Sequence, residues 1–493
     1  MFETTSIESA GVRPRQIVKY LATLQKRGCN MHSVLLMRDG KVFFEHYYPP
    51  FTKDFCHRMY SQTKSFVAVA IGLLQDEGRL DINDPIVKYF PEKIDTPPGE
   101  DLKNQTIREM LTMTTSGDSR NWFRENDPDR THLYLNEEKL NQRPAGTVWR
   151  YDSAGSQVLS SLVEKLAGMS LLEYLRKKLF DKMECFSTAE MLKTKNEDSW
   201  GDSAMICTTR DVAHLAELLR LGGVWQGERL ISEDFVKAAT AKQVDNREDA
   251  HGNCFRHGYG YQIWRTEQNG FAFVGMGDQL TICLPDRGFV FACTADNQTS
   301  PVARNLIVNS LFDMIVDEMA DEALEPDPEG RAELYRLLPN LKLRAVNGME
   351  DSPLRSKIDG VEYIIEQNNI GIESLRIDFE NSQGGIFRYV KQGKTMELPF
   401  FINKNRFGEF PELGYSGDHG GLRTRDGSKY RDAVSAAWLE EGKLMVYVQI
   451  IDRYFGNLCI ILGFKDGELA ATFTKNAEDF LWEYQGLIRG RKK

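Results

Sequence analysis

Met59-Tyr60-Ser61-Gln62-Thr63-Lys64 runs directly into Ser65-Phe66-Val67-Ala68-Val69-Ala70-Ile71-Gly72-Leu73-Leu74. The second stretch is apolar on every side, the pattern of a helix inside a domain rather than on its surface. Residues three apart share a helix face, so Ser61 Oγ and Lys64 Nζ can meet. A serine at a helix start also meets the positive end of the helix dipole, which favours a developing oxyanion. Among apolar neighbours a lysine is desolvated, and desolvation moves it toward the range where it accepts a proton. That combination turns a poor nucleophile into a usable one. The motif is short, and about one or two Ser-x-x-Lys matches are expected by chance in a chain this rich in both residues. Ser61 to Lys64 is the only match, and the rest of the chain has to decide its meaning.

Upstream, Pro14 to Arg27 reads as a helix with Ile17, Val18, Leu21 and Leu24 on one face and Gly28 as its stop. Ser33 to Met37 and Val42 to Phe44 flank Asp39-Gly40, a hairpin signature. Downstream, the pattern from Thr106 to about Lys182 is helical. Thr106 and Glu109 form a capping box, Tyr151-Asp152-Ser153 leads into a helix from Ser156 to Leu166, and Gly168 closes that helix. Thr208 to Asp211 caps a further helix. Tyr259 to Trp264, Phe271 to Leu284 and Phe289 to Ala292 read as strands, followed by a long helix from Val302 to Met319. Helices are thus inserted, over about residues 80–200, between an early strand pair and a late strand group that share one antiparallel sheet.

Leu324 to Gly330 is acidic and carries two prolines, so residues 326–331 read as a linker between a first domain, 1–325, and a second, 332–493. Past it the apolar period changes to 2, as at Leu444, Val446, Val448 and at Leu458, Ile460, Leu462, which predicts a β-rich, barrel-like domain. Gly408 to Gly427 reads as a mobile loop on it.

The 493 residues are 41% hydrophobic and 11% aromatic, ample for two packed cores. A formal net charge of -10 argues against nucleic acid or an anionic membrane as partner. No apolar signal segment or bilayer-length run is present, so the expected location is cytoplasmic, with eight unpaired thiols.

Four stretches fall in one order: Ser61 to Lys64; Leu111-Thr-Met-Thr-Thr-Ser116-Gly117; Pro144-Ala-Gly-Thr-Val-Trp-Arg-Tyr151-Asp-Ser153; and Gly275-Met-Gly277-Asp-Gln279 to Pro285. With Gly222-Gly223-Val224-Trp225-Gln226-Gly227 they resemble the class C β-lactamase-like serine hydrolases. That family holds class C β-lactamases, DD-peptidases, family VIII esterases and 6-aminohexanoate-dimer hydrolase. The resemblance covers roughly residues 15–320. It implies an α+β, β-lactamase/transpeptidase-like domain, an antiparallel sheet flanked by helices plus an all-helical subdomain, ahead of the β-rich domain.

It also implies Ser61 as the acylated nucleophile, Lys64 as its proton partner and Tyr151 as the second member of the acid/base relay. Ser153 would contact substrate or Lys64. A phenol between an ammonium and a hydroxyl has its phenolate stabilised and can shuttle a proton. Acyl transfer needs two donors at the developing oxyanion, here the Ser61 N–H and one from Val274-Gly275. No cofactor and no metal is implied. The substrate would be a small ester or amide, with DD-peptidase or weak β-lactamase activity as the alternative. A non-catalytic penicillin-binding-like protein is the reading of another class. For the second domain, a cover over the cleft and a homo-oligomer contact are both compatible with the residues.

Two departures narrow the expectation. β-Lactamases and DD-peptidases carry Lys-Thr-Gly or His-Thr-Gly on the late strand, where this chain has Phe273-Val274-Gly275, so no basic residue stands there to hold a substrate carboxylate. Ser153 replaces the usual Asn and reaches less far. His251, Cys254 and His257 are three ligand types in one loop, but no fourth is evident for a closed metal site.

Overall fold

The protein, as a computed structural model, is described over residues 2–119, 128–248, 253–413, 429–453, 455–475 and 484–493. It divides into two units, Met1–Lys342 and Leu343–Lys493. The division falls beyond the expected linker at 326–331. Pro328 starts a helix, Pro328–Leu337, whose N-cap Asp327 accepts from Gly330 N–H. Arg331 of that helix holds Glu8 in a two-pronged ion pair at 2.6 Å. The acidic, proline-bearing stretch is therefore a capped helix belonging to the first unit, because proline is favoured at a first helical position.

The first unit is built on a seven-stranded sheet. Met31–Arg38 and Lys41–Tyr47 form the early hairpin, and Asp39 and Gly40 both take positive φ, 49° and 77°, at its two-residue turn. Met31–Arg38 then pairs antiparallel with Phe289–Ala295, followed outward by Gln279–Leu284, Phe271–Gly275 and Trp264–Arg265. Early and late strands do share one sheet, with only the short Glu3–Thr4 strand parallel at its edge.

Two expectations for the late strands are corrected. Phe271 to Leu284 is two strands, because Gly277 and Asp278 take φ of 74° and 71° and turn the chain back. Tyr259 to Trp264 is strand only from Trp264, because Gln262 sits at φ 57° and breaks the extended run. Between the early hairpin and the Thr209–Arg220 helix lie the nucleophile helix Thr63–Asp76, several short helices and the helix Ser153–Ala167. The Thr106–Glu109 capping box and the left-handed Gly168 C-cap are formed as their residues dictate.

The second unit is a barrel. Among the described residues ten strands run from Glu362–Ile365 to Gly486–Lys492, and nine of them close into a ring. Closure comes where the end of Lys394–Ile402 lies parallel to Lys429–Glu440, Phe401 beside Ser435 and Ile402 beside Ala436. The tenth, Arg406–Leu413, runs along the remainder of the same edge. Gly408 to Leu413 of the expected loop is thus strand, and 414–427 lies outside the described residues.

All eight cysteines are free thiols. Five are buried, and Cys56, Cys185 and Cys459 are half-buried. Among the described residues no helix is long and apolar enough to cross a membrane.

Candidate active site

The Ser61–Lys64 turn is held from several parts of the first unit. The turn Tyr60–Gln62 precedes the buried helix Thr63–Asp76. Met59 N–H donates to the Met205 carbonyl at 2.8 Å, and the Thr63 hydroxyl donates to Tyr60 O at 2.6 Å while accepting from Met205 N–H. Gln62, wholly buried, accepts from the Thr281 hydroxyl at 2.9 Å and so ties the turn to the sheet. Ser65 donates to Gln262 O at 2.8 Å. Within this frame Lys64 Nζ donates to Ser61 Oγ at 3.1 Å and to the Asp202 carbonyl at 2.7 Å. Ser61 is half-buried and Lys64 only 1% exposed, so the hydroxyl faces outward and the ammonium inward.

The structure brings Tyr151 to the same place. Lys64 Nζ lies 5.0 Å from the centre of the Tyr151 ring, within cation–π range. The other face of the site is aromatic: Tyr151 stacks on Trp264 at 5.8 Å, and Trp264 meets Tyr259 and Trp149 edge-on at 5.1 and 5.5 Å. Ser153 is the first residue of the helix capped by Asp152, whose carboxylate accepts from Gly155 N–H. No hydrogen bond joins the Ser153 hydroxyl to Lys64 or to another described residue, so the structure does not bring it into the Ser61–Lys64 contact.

Phe271–Gly275 passes beside the nucleophile turn. Its outer edge is paired only at Phe271 and Ala272, which leaves Val274 and Gly275 without a strand partner on that side among the described residues. A Cβ on Gly275 would stand 2.3 Å from Met59 O, so only glycine allows the strand this close to the turn.

Four residues that local pattern did not reveal belong to this region. Gln262 accepts from Ser156 Oγ at 2.7 Å and donates to Met110 O at 2.8 Å, binding three elements around the nucleophile helix. Trp264 supports Tyr151. Arg304 Nε pairs with Asp278 at 2.9 Å, and its guanidinium lies 3.5 Å from Gly275 O, so a cation does stand near the late strand, already neutralised by a carboxylate. Asp202 Oδ2 lies 3.9 Å from Lys64 Nζ. Burial pushes the Asp202 carboxyl up from its ordinary value, against the pull of Lys64, Arg130 and Arg58. None carries a motif; Asp202 is 138 residues from Lys64 in sequence. Among the described residues no group of three His, Cys, Asp or Glu is placed to hold a metal, and His251 lies outside them.

The beta-lactamase family model matches residues 17–308, more than half of the chain. The chain belongs to the beta-lactamase family. Within it, the chain is 27% identical over 222 residues to 6-aminohexanoate-dimer hydrolase of Paenarthrobacter ureafaciens, covering 42% of this chain and 56% of that enzyme. The match therefore spans little more than half of that relative's length. In fold it resembles a Bacillus anthracis relative of 6-aminohexanoate-dimer hydrolase, with a TM-score of 0.52 at 18% identity over 64% of this chain and 86% of the other. It also resembles EstCE1, a hydrolase with promiscuous acyltransferase activity, with a TM-score of 0.50 at 15% identity over 61% of this chain and 99% of the other. The beta-lactamase-like fold is as the motif order implied, and the added barrel as the change of apolar period implied.

Proposed function

We propose that the protein is a serine hydrolase that forms an acyl-enzyme on Ser61 and acts on a small ester or amide. The observation that carries this reading is the 3.1 Å contact between an outward-facing Ser61 hydroxyl and a buried Lys64 ammonium, with the Tyr151 ring centre 5.0 Å from Lys64 Nζ. In the reaction Ser61 Oγ attacks the substrate carbonyl, and its proton passes through the Lys64–Tyr151 pair to the leaving group. The Ser61 N–H and a backbone N–H of Val274-Gly275 receive the oxyanion. Water then releases the acyl group by the reverse path.

Phe273-Val274-Gly275 offers no basic side chain, and Arg304 is engaged by Asp278, which favours neutral esters and amides over β-lactams. Similarity to 6-aminohexanoate-dimer hydrolase supports the amide side of the range. Incubation with a fluorophosphonate probe should add one adduct mass, lost in Ser61→Ala. Turnover of p-nitrophenyl esters should collapse in Ser61→Ala, Lys64→Ala and Tyr151→Phe, with losses far from additive because the three act as a unit. Labelling that survives Ser61→Ala, or near-normal rates in Tyr151→Phe, would overturn the assignment. Substrate class is read from a panel of esters, short amides, D-amino-acid peptides and a chromogenic cephalosporin.

A further inference from the structure

Several arginines of the first unit close the same edge of the guanidinium, the fork formed by Nε and Nη2, on oxygen. Arg210 grips Glu45 at 2.9 and 2.5 Å, Arg220 grips Glu217 at 2.7 Å twice, and Arg331 grips Glu8 at 2.6 Å twice. Arg58 closes its fork on the Ser203 carbonyl and hydroxyl, both at 2.8 Å. The fork fits the two oxygens of a carboxylate, which accounts for the three glutamates. Arg143 breaks the pattern. Its side chain is 10% exposed, and Nη1 donates to Asp118 at 2.8 Å and to the Asn141 carbonyl at 3.1 Å. Its Nε and Nη2 are buried and meet no acceptor among the described residues. No other described arginine leaves both atoms of the fork buried and unpaired. Buried donors are almost always paired, so an empty fork marks a place for an oxygen ligand.

The surrounding charges ask for an anion as well. Arg150 Nε stands 3.2 Å from the same Asp118 oxygen, and Asn141 Nδ2 donates to the other at 2.7 Å. One carboxylate thus serves two guanidinium groups, and no second acidic side chain among the described residues lies within 4 Å of either. Residues 143–150 are laced to residues 113–116 by three backbone bonds. Arg143 N–H donates to Ser116 O at 3.0 Å, Gly146 N–H to Thr114 O at 2.8 Å and Arg150 N–H to Met113 O at 2.9 Å. Tyr151 follows Arg150 directly, so the open fork lies at the foot of the segment that carries it.

We propose that the Nε–Nη2 fork of Arg143 is a binding site for the carboxylate of a small organic acid, held two-pronged as Glu45, Glu217 and Glu8 are held elsewhere in this unit. The ligand enters past Asn141, Gln142 and Pro144, which are exposed beside the fork. Its charge completes the pairing that Asp118 begins, one carboxylate for each guanidinium. The assignment uses no step of the reaction proposed above, so it stands or falls apart from labelling of Ser61. An ester or amide hydrolase releases a carboxylic acid, and on that reading the ligand is of the class the enzyme itself produces.

The test is an acetate titration of the full chain with isotope-labelled arginine, at fixed ionic strength with chloride as the balancing anion, read on the arginine Nε–H cross-peaks. One peak should move saturably, and it should be the peak missing from Arg143→Lys, which keeps a cation on Asp118 and removes the fork. Acetate at about 50 mM should raise the melting temperature by about 2 °C over chloride, and should not do so in Arg143→Lys. Arg143→Gln takes the place of the lysine variant if that one is insoluble, since its amide can still donate to Asp118. A titration of the parent chain in which no peak moves overturns the proposal without any variant. So does a melting shift of equal size in parent and variant, or one that chloride reproduces. Inorganic phosphate is run in parallel, and saturation at a lower concentration than acetate would overturn the carboxylate assignment.

Discussion

Tyr60, the residue before the nucleophile, sits at φ 48°, a left-handed conformation that costs a bulky L-residue about 1–2 kcal/mol. Its buried ring under the Arg58 guanidinium and the Thr63 hydroxyl on its carbonyl hold it there. The strain sets the sharp turn that leaves Ser61 outward while Lys64 goes inward. Gly275 is the matching constraint from the sheet. Gly275→Ala should push the late strand off the Met59 carbonyl and lower kcat/KM for a p-nitrophenyl ester by about 10²-fold, since a shift of about 1 Å in a reacting site has that effect. Circular dichroism should show the fold retained. At this scale the Ser61–Lys64 contact was legible from helical spacing, and the approach of Tyr151 to Lys64 from the order of motifs. Asp202 was not: its meaning lies in what faces it across the fold, and an Asp between Gly201 and Ser203 gives no local sign of that.

Elements were legible where periodicity and caps agree, as in Pro14–Lys26, the Asp39-Gly40 hairpin and Ser153–Ala167. They were misread where one residue with positive φ interrupts an apolar run. Gln262 is the clearest case, polar and buried in a stretch that otherwise alternates like a strand. Its position is explained by its partners: it replaces the missing strand contacts with bonds to Ser65, Ser156 and Met110. Gln262→Ala leaves the Met110 carbonyl without its side-chain donor and frees Ser156 from one of two bonds. It should cost about 2–3 kcal/mol, measured by urea unfolding. Gln262→Glu would keep the acceptor for Ser156 and lose the donor, separating the two halves of the effect.

The buried histidines of the first unit and Asp432 of the second should contribute to stability with opposite dependence on pH. In the first, burial holds His57 down to about 3 and His214 to about 4, and keeps His32 well below its ordinary value. The unfolded chain binds protons on these rings below about pH 6.5 and the folded unit does not, so its stability is full above that pH and falls as pH drops toward 4. In the second unit, burial first and then Glu409 push the Asp432 carboxyl up to about 7. The folded barrel binds that proton when the unfolded chain does not, so its contribution is full below about pH 4 and is lost as pH rises through about 7. Hydrogen exchange resolved by peptide, at pH 5 and pH 7.5, should show protection moving in opposite directions in the two units, and Asp432→Asn should flatten the barrel's response. That a second domain exists, and that it is β-built, followed from the change of period. Where it starts did not, because a proline at a helix start and a proline in a linker look alike in sequence. The cysteines carry one practical consequence. Burial holds seven thiols up from their ordinary value, and a thiol kept protonated reacts slowly. Cys56 is half-buried, its Sγ 3.4 Å from the Thr188 hydroxyl, five residues ahead of Ser61. A dye placed on it would give an optical reporter beside the reacting turn.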